Sequence, residues 1–219
     1  MEPVVLEFPL DGPCLVQNSP ARRIPSHGTE LMGSSHAIDL VPVDASGRSA
    51  RRGWGAIVGS EPPDHFVGFG VPVRAPAAGR VVKVLDGVAD RVARRSLITL
   101  LPYAAGQGRR LRTGLGMIAG NHVVIELAPG GPFAAVVHLK RGSITVRVGD
   151  AVGAGQVIAA VGNSGNSTEP HLHLQVMDAA DPTNARGLPF VFREFRERGV
   201  LHVSAVPGER SIVERASSA

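Results

Sequence analysis

The sequence predicts a mostly β fold, a single domain of short antiparallel strands with a helix or two at most. Three observations carry that expectation. The 27 Gly and 17 Pro in 219 residues make the chain turn too often for long helices. Its apolar runs are short, partly β-branched and bounded by turn formers. Hydrophobic residues make up 43% and charged residues 19%, enough for a sizeable core and too apolar for wholesale disorder.

Residues 1–35 are rich in turn formers around a short apolar run at Val4–Phe8. "AIDLVPVD" (37–44) reads as a strand whose proline marks an edge or an end. "GRSARRGWG" (47–55) is a basic, glycine-rich loop. "VPVRAPAAGRVVKVLDG" (71–87) reads as two strands around a turn. Residues 88–118 hold much of the arginine and break the strand rhythm, so they are expected to form an inserted helical or loop segment. "NHVVIELAPGGPFAAVVHL" (121–139) has a hairpin pattern, and "ITVRVGDAVGAGQVIAAVG" (144–162) repeats the device. "PHLHLQVMD" (170–178) alternates like another strand. The polar tail after "PFVFREFRERG" is expected to fray. This divides the chain into an N-terminal segment packing on the core (1–25), a β domain (26–190) with its insertion at 88–118, and a C-terminal extension (191–219).

Composition also excludes some functions. The net charge of +4 comes almost wholly from arginine, with Lys83 and Lys140 the only lysines. No nucleic-acid-reading motif accompanies the charge, and aromatics are only 4%, so no nucleic-acid partner is expected. Cys14 is the single cysteine, which rules out an intrachain disulfide and a cysteine zinc cluster. It reads as a small buried apolar residue. No run of about 18 apolar residues exists, so no transmembrane helix is expected. The N-terminus shows no secretory pattern. The sequence as given thus reads as cytoplasmic, or as exported if its N-terminus is incomplete.

The histidines carry the chemistry. His171 and His173 are two apart in a strand pattern, which points both imidazoles to one face. Neutral imidazole suits Zn2+, but "HxH" alone also fits two solvent-facing histidines. "GNSGNSTEP" precedes the pair with small residues. His138 and Asp39 lie on other predicted strands, and a third ligand with an open fourth position is what a catalytic zinc requires.

These residues resemble the lysostaphin-type zinc metallopeptidases. "HLK…VRVGDAVGAGQVIAAVGNSGNSTEPHLHLQ" is similar to the family's C-terminal block, an "HL" strand followed by "GxxVxxGQxIGxxGxTGxSTGPHLHFE". "APAAGRVVKV" resembles "APADGxVxxV", "AGNHVVIE" resembles "GNxVxI", and "SHAIDL" resembles the ligand strand "HxGxDL" or its variant "QRYAIDF". The likeness runs from about residue 26 to 178 and is absent over 88–118. It implies a sandwich or half-barrel of the duplicated hybrid (barrel-sandwich) type. It also implies Zn2+ bound by Asp39, His173 and one further histidine, with His138 and His171 as catalytic residues. The implied reaction is hydrolysis of peptide bonds by a metal-activated water, on a peptide or peptidoglycan substrate. Val136, Glu169 and Leu174–Gln175 depart from the family pattern without removing a proposed ligand.

The further histidine is His27 or His36. The family's commonest ligand position, four before the aspartate, is Ser35 here. His36 is three before Asp39, and on a strand an odd separation sends two side chains to opposite faces unless a bulge intervenes. His27 lies in the preceding loop, free to fold back, and members with "QRYAIDF" take their histidine from such a loop. Strand geometry therefore favours His27, leaving His36 packed on the outer face. His65, His122 and His202 read as surface or packing residues, and Asp44, Asp86 and Asp150 as turn residues. Two other readings compete: a non-catalytic member acting as a binding or activating module, suggested by Ser35, and a phosphocarrier or carrier-type barrel domain.

Overall fold

The computed structural model describes residues 2–50, 61–93 and 118–216. Within them the chain is mostly β, and its regular helical structure is confined to short turns: the 3-10 turns Leu31–Gly33 and Pro63–His65, and Ile118–Ala119. The strands are β1 (Val4–Leu6), β2 (Cys14–Gln17), β3 (Ile38–Pro42), β4 (Pro72–Arg74), β5 (Gly79–Leu85), β6 (Asn121–Glu126) and β7 (Phe133–Leu139). They continue as β8 (Ala151–Val152), β9 (Val157–Ala160), β10 (Leu172–Met177), β11 (Phe190–Glu197), β12 (Val200–Ala205) and β13 (Ile212–Arg215).

Eleven strands form one sheet in the order β1-β11-β13-β2-β3-β10-β7-β6-β5-β8, with β12 on the other side of β11; β4 and β9 pair as a second, small sheet. The main core lies between the two. Leu40, Leu172, Leu174, Val136, Val123, Ile125 and Val81 of the large sheet cluster with Val73, Ile158 and Ala159 of the small one. Strand alternation then sends their neighbours in sequence to the other face of the large sheet, which carries the site. Cys14 belongs to this core, and burial pushes its thiol up to about 12, far from a nucleophile's range.

Four expectations differ from the structure. The sheet is mixed, because β1 runs parallel to β11. The polar tail does not fray. Beyond Gly199 it forms β12, paired with β11, and β13, paired with β11 and β2, and Val213 of β13 joins the core. In 144–162 only Ala151–Val152 and Val157–Ala160 are strands, and they pair outward, β8 with β5 and β9 with β4. Finally, β3 begins at Ile38, so His36 precedes the strand and does not sit on its outer face.

The interior position of β3, between β2 and β10, fits its proline because Pro42 is the strand's last residue. Of the 88–118 insertion, residues 94–117 lie outside the described residues, as do residues 51–55 of the basic loop. The described part is laced to the sheet. Asp90 accepts the backbone N–H groups of Asn163 at 2.7 Å and Arg141 at 3.0 Å. Asn121 donates to the carbonyls of Leu139 and Val88 and accepts from the Val88 N–H, so its role is to orient backbone.

Candidate metal centre

Three adjacent strands, β3, β10 and β7, bring the chemistry together. Asp39 of β3 is the direct antiparallel partner of His173 of β10, and His173 in turn faces Val137 of β7. Directly opposed residues on one face of an antiparallel pair have neighbouring side chains. Asp39 Oδ1 accordingly lies 2.9 Å from His173 Nδ1.

His27 arrives from the loop between β2 and β3. Ser26 is the anchor: it is buried, its N–H donates to the Ser35 carbonyl at 2.9 Å, and its hydroxyl donates to the Ala37 carbonyl at 2.7 Å. This folds the loop back onto the residues just ahead of β3, and His27 Nε2 comes to 3.1 Å from Asp39 Oδ2. The separation of the two in sequence is thereby closed. Each of His27, Asp39 and His173 offers one ligand atom, and these atoms all lie within 4.8 Å of one another. His36 is outside this group, and its Nδ1 meets the hydroxyl of Ser35 at 3.1 Å.

His138 reaches the same face through a bulge. Asn121 pairs with Leu139 and Val123 with Val136, so Val137 and His138 together oppose the single residue His122. His138 adopts φ of +62°, the left-handed region that histidine tolerates better than most residues. Simple alternation would have sent it into the core with Val136. The bulge turns it instead to within 4.9 Å of the His171 ring and 5.9 Å of the His173 ring, centroid to centroid. His171 immediately precedes β10, with Nε2 at 3.6 Å from Asp39 Oδ1.

Fixed acceptors set the proton positions on three of these rings. The Ser26 hydroxyl spends its one proton on the backbone, so at 3.0 Å from His27 Nδ1 its oxygen accepts. His27 Nδ1 is therefore a donor, and its Nε2 is the atom turned toward Asp39. His138 Nδ1 donates to the Ser164 carbonyl at 2.9 Å, and His171 Nδ1 to the Glu169 carbonyl at 2.8 Å, which leaves both Nε2 atoms unprotonated in the neutral rings. The close approach of Gly120 and Gly165 positions Ser164. A Cβ on Gly165 would lie 2.5 Å from the Gly120 nitrogen, so only glycine fits.

Charge follows the same layout. Burial would raise the Asp39 carboxyl, but His171, His173 and His27 outweigh it and hold it well below the usual carboxylate range. Burial pulls His173 down, yet the hydrogen bond and charge of Asp39 outweigh burial and raise it. Burial, together with the neighbouring His171 and His173, holds His138 well below its ordinary value, so it stays neutral near pH 7.

Two imidazole nitrogens and one carboxylate oxygen, all within 4.8 Å of one another, are a donor set that suits a divalent transition metal such as zinc. Sequence reasoning named all five of these residues. It missed the polar groups around them: Asn18, whose Nδ2 donates to Asp39 Oδ2 at 2.7 Å, Ser26, Ser164, and Gln175, whose Oε1 lies 2.8 Å from His173 Nε2. A left-handed Asn at the end of a strand and a Gln two residues after a ligand were the available signals. The other histidines are structural. His122 is buried with Nδ1 on the Gly120 carbonyl, His202 stacks on Phe195, and His65 ends a 3-10 turn. Glu169, expected beside the site, offers its carbonyl to His171 and its carboxylate to the Ser49 hydroxyl.

Fold and site together define a β-sheet protein with a His/His/Asp group able to hold a metal ion. Residues 103–185 match Peptidase family M23, in agreement with the resemblance the motifs carry. Solved structures similar to this chain include the catalytic domain of the antimicrobial peptidase lysostaphin from Staphylococcus simulans, at 19% identity, covering 83% of this chain and 86% of that one, with a TM-score of 0.40. The catalytic domain of the prophage-encoded M23 protein EnpA from Enterococcus faecalis, in a mutant form, is 22% identical over 71% and 75%, with a TM-score of 0.39. A zinc-containing peptidase from Vibrio cholerae is 22% identical over 67% and 37%, with a TM-score of 0.34. The functional reading rests on the family match and on the geometry of the site.

Proposed function

We propose that the chain is a zinc-dependent metalloendopeptidase acting on peptide bonds of peptidoglycan peptides. The observation that carries this reading is the convergence of His27, Asp39 and His173 on one point, beside His138 and His171, whose Nδ1 atoms are held by backbone carbonyls. Zinc held by those three residues would supply Lewis acidity and lower the pKa of a water. The chain's own residues do the rest. His138 stays neutral in its buried position, so its Nε2 takes a proton as general base. His171, held by the Glu169 carbonyl on the adjacent side, is placed to donate a hydrogen bond to the developing oxyanion once its Nε2 is protonated. A proton held at either Nε2 then passes to the departing amine.

Ser35 was the one hint of a non-catalytic module, and His27 fills the role that position leaves open. Neither His171 nor His173 presents itself as a phosphate acceptor, since both rings are engaged around Asp39. A wall substrate further implies action outside the membrane; among the described residues no helix is long and apolar enough to cross one.

The test is hydrolysis of purified peptidoglycan and of synthetic stem and bridge peptides by the zinc-loaded protein. Cleavage of a peptide bond, abolished by a chelator and by His138→Ala with zinc still bound, supports the reading. A zinc-loaded protein that binds these substrates and cleaves none would establish the binding-module reading instead.

A further inference from the structure

We propose that Asp90 is a positioning residue for His138, clamping together the two segments of chain that hold its ring. This rests on the reading of His138 as general base and adds what keeps that base in place.

His138 is held from two sides. β7 supplies the ring, at the bulge where its φ is +62°, and the stretch after β9 supplies the Ser164 carbonyl, 2.9 Å from Nδ1. The Gly162 N–H also donates to the His138 carbonyl at 3.1 Å. The ring therefore keeps its place only while residues 162–164 keep theirs against the end of β7. Strand pairing does not secure that junction, because β7 belongs to the large sheet and β9 to the small one. An isolated bridge between Leu139 and Val161 joins them, together with scattered hydrogen bonds.

Asp90 spans the junction. Its Oδ1 accepts the Asn163 N–H at 2.7 Å and its Oδ2 accepts the Arg141 N–H at 3.0 Å. Asn163 immediately precedes Ser164, and Arg141 lies just beyond β7, so each oxygen takes a different segment. Hydrogen bonds to a carboxylate are about twice as strong as neutral ones. The backbone adds to the clamp. Asp90 bridges Ser164, the Arg91 N–H donates to the Asn163 carbonyl at 3.0 Å, and Asn163 Nδ2 donates to the Arg91 carbonyl at 2.7 Å. Gly162 makes room for it, since a Cβ there would lie 2.3 Å from the Lys140 nitrogen and 2.6 Å from Asp90 Oδ1.

Asp86 offers the contrast on the same stretch. Its Oδ1 accepts the Gly142 N–H at 2.8 Å, which fastens residues 86–90 to the β7 side. Asp90 reaches both sides. Its loss would leave β7 in its sheet while residues 163–164 shift, drawing the Ser164 carbonyl away from His138.

The experiment compares wild type, Asp90→Ala, Asp90→Asn and Asp86→Ala, each zinc-loaded. It measures kcat and KM on the synthetic stem and bridge peptides, the zinc Kd by chelator competition, and the carbon-bound ring resonances of His138 by NMR. Asp90→Ala is expected to keep the wild-type KM and zinc Kd, lower kcat about 100-fold through a misplaced ring, and move the His138 resonances. Asp90→Asn keeps one acceptor and recovers part of kcat. Asp86→Ala keeps the wild-type kcat and resonances. If Asp90→Ala does not fold, Asp90→Asn carries the comparison, with a smaller loss of kcat and shifted resonances. The proposal is overturned if the folded Asp90 variants keep the wild-type kcat and resonances, as a purely structural role would have it. It is equally overturned if zinc affinity falls as far as kcat, or if Asp86→Ala moves the resonances as much. If wild type cleaves none of the peptides, the peptidase reading fails and the resonances alone decide. A shift in Asp90→Ala and none in Asp86→Ala then supports the clamp, and no shift in either overturns it.

Discussion

Asp39 and His173 are direct cross-strand partners, 134 residues apart in sequence, and their side chains meet at 2.9 Å between Oδ1 and Nδ1. Because the pairing is antiparallel and the strands are interior, neither residue can move without shifting a ladder of backbone hydrogen bonds. Two ligand atoms are thus set by the sheet itself, and the loop has only to add His27.

The first prediction concerns pH. His173 binds a proton more tightly than an ordinary histidine in the metal-free protein, so protons compete for the ligand already above pH 6.5. Apparent zinc affinity should fall as pH falls, by about tenfold per unit for each proton displaced. The metal-free protein has its own signature. The Asp39 contribution to stability is present above its ordinary value of 3.8 and lost as pH falls through the lowered folded value. The His173 contribution is present below 6.5 and lost as pH rises through the raised folded value. Thermal unfolding of chelated wild type should therefore exceed Asp39→Asn most between these two values, and the gap should shrink above neutrality.

The bulge at His138 yields a second prediction. Asn accepts left-handed backbone readily, so His138→Asn should fold with a stability within about 2 kcal/mol of wild type, most of that from lost packing. Zinc should stay bound while peptide hydrolysis falls by at least about 100-fold. Loss of zinc in this variant would place His138 among the ligands.

Asn18 carries the third. Its Nδ2 donates to the buried Asp39 carboxylate at 2.7 Å from a residue whose φ is +52°. Asn18→Gly suits that backbone and removes only the donor. A hydrogen bond to a charged group is worth about 1.5–3 kcal/mol, so the metal-free protein should lose that much in denaturant unfolding. An unchanged midpoint would mean solvent replaces the donor at no cost.

The C-terminal strands carry the fourth. Glu209 accepts the Ser19 N–H at 2.7 Å and pairs with Arg22, while Ser19 Oγ donates to the Pro207 carbonyl at 2.6 Å. The Val16 N–H donates to the Ser211 carbonyl and the Arg210 N–H to the Val16 carbonyl, beside the pairing of β2 with β13. This clamps the start of the loop that carries His27. Hydrogen exchange should show the amides of Val16, Ser19 and Arg210 protected, and deletion of residues 206–219 should lower zinc affinity by loosening that loop. Rapid exchange at all three amides would restore the picture of a frayed tail.

Much of the site was legible because its chemistry leaves local marks. His171 and His173 announce themselves by a two-residue spacing, and the turn-bounded apolar runs mark β3 to β7, β9 and β10. The choice of His27 over His36 agrees with the geometry of the group, but the argument from strand parity does not describe the cause. His36 precedes β3, and Ser26 anchoring the loop is what delivers His27. Parity applied to His138 would have misplaced it, since a bulge is invisible without the partner strand. The outer ring of Asn18, Ser26, Ser164 and Gln175 was hidden for a similar reason. Such residues act only through contacts between distant segments, and in sequence they look like ordinary turn and strand residues. The tail was misjudged because pairing with β11 and β2 is what orders it, and its own composition does not reveal those partners.

Metal stoichiometry and affinity in wild type, His27→Ala, His36→Ala and His173→Ala test the central claim most directly. Wild type and His36→Ala should bind about one zinc per chain with the same affinity, and His27→Ala and His173→Ala should lose at least about 100-fold. Full zinc binding by His173→Ala, or loss on His36→Ala with retention on His27→Ala, would contradict the His27–Asp39–His173 centre.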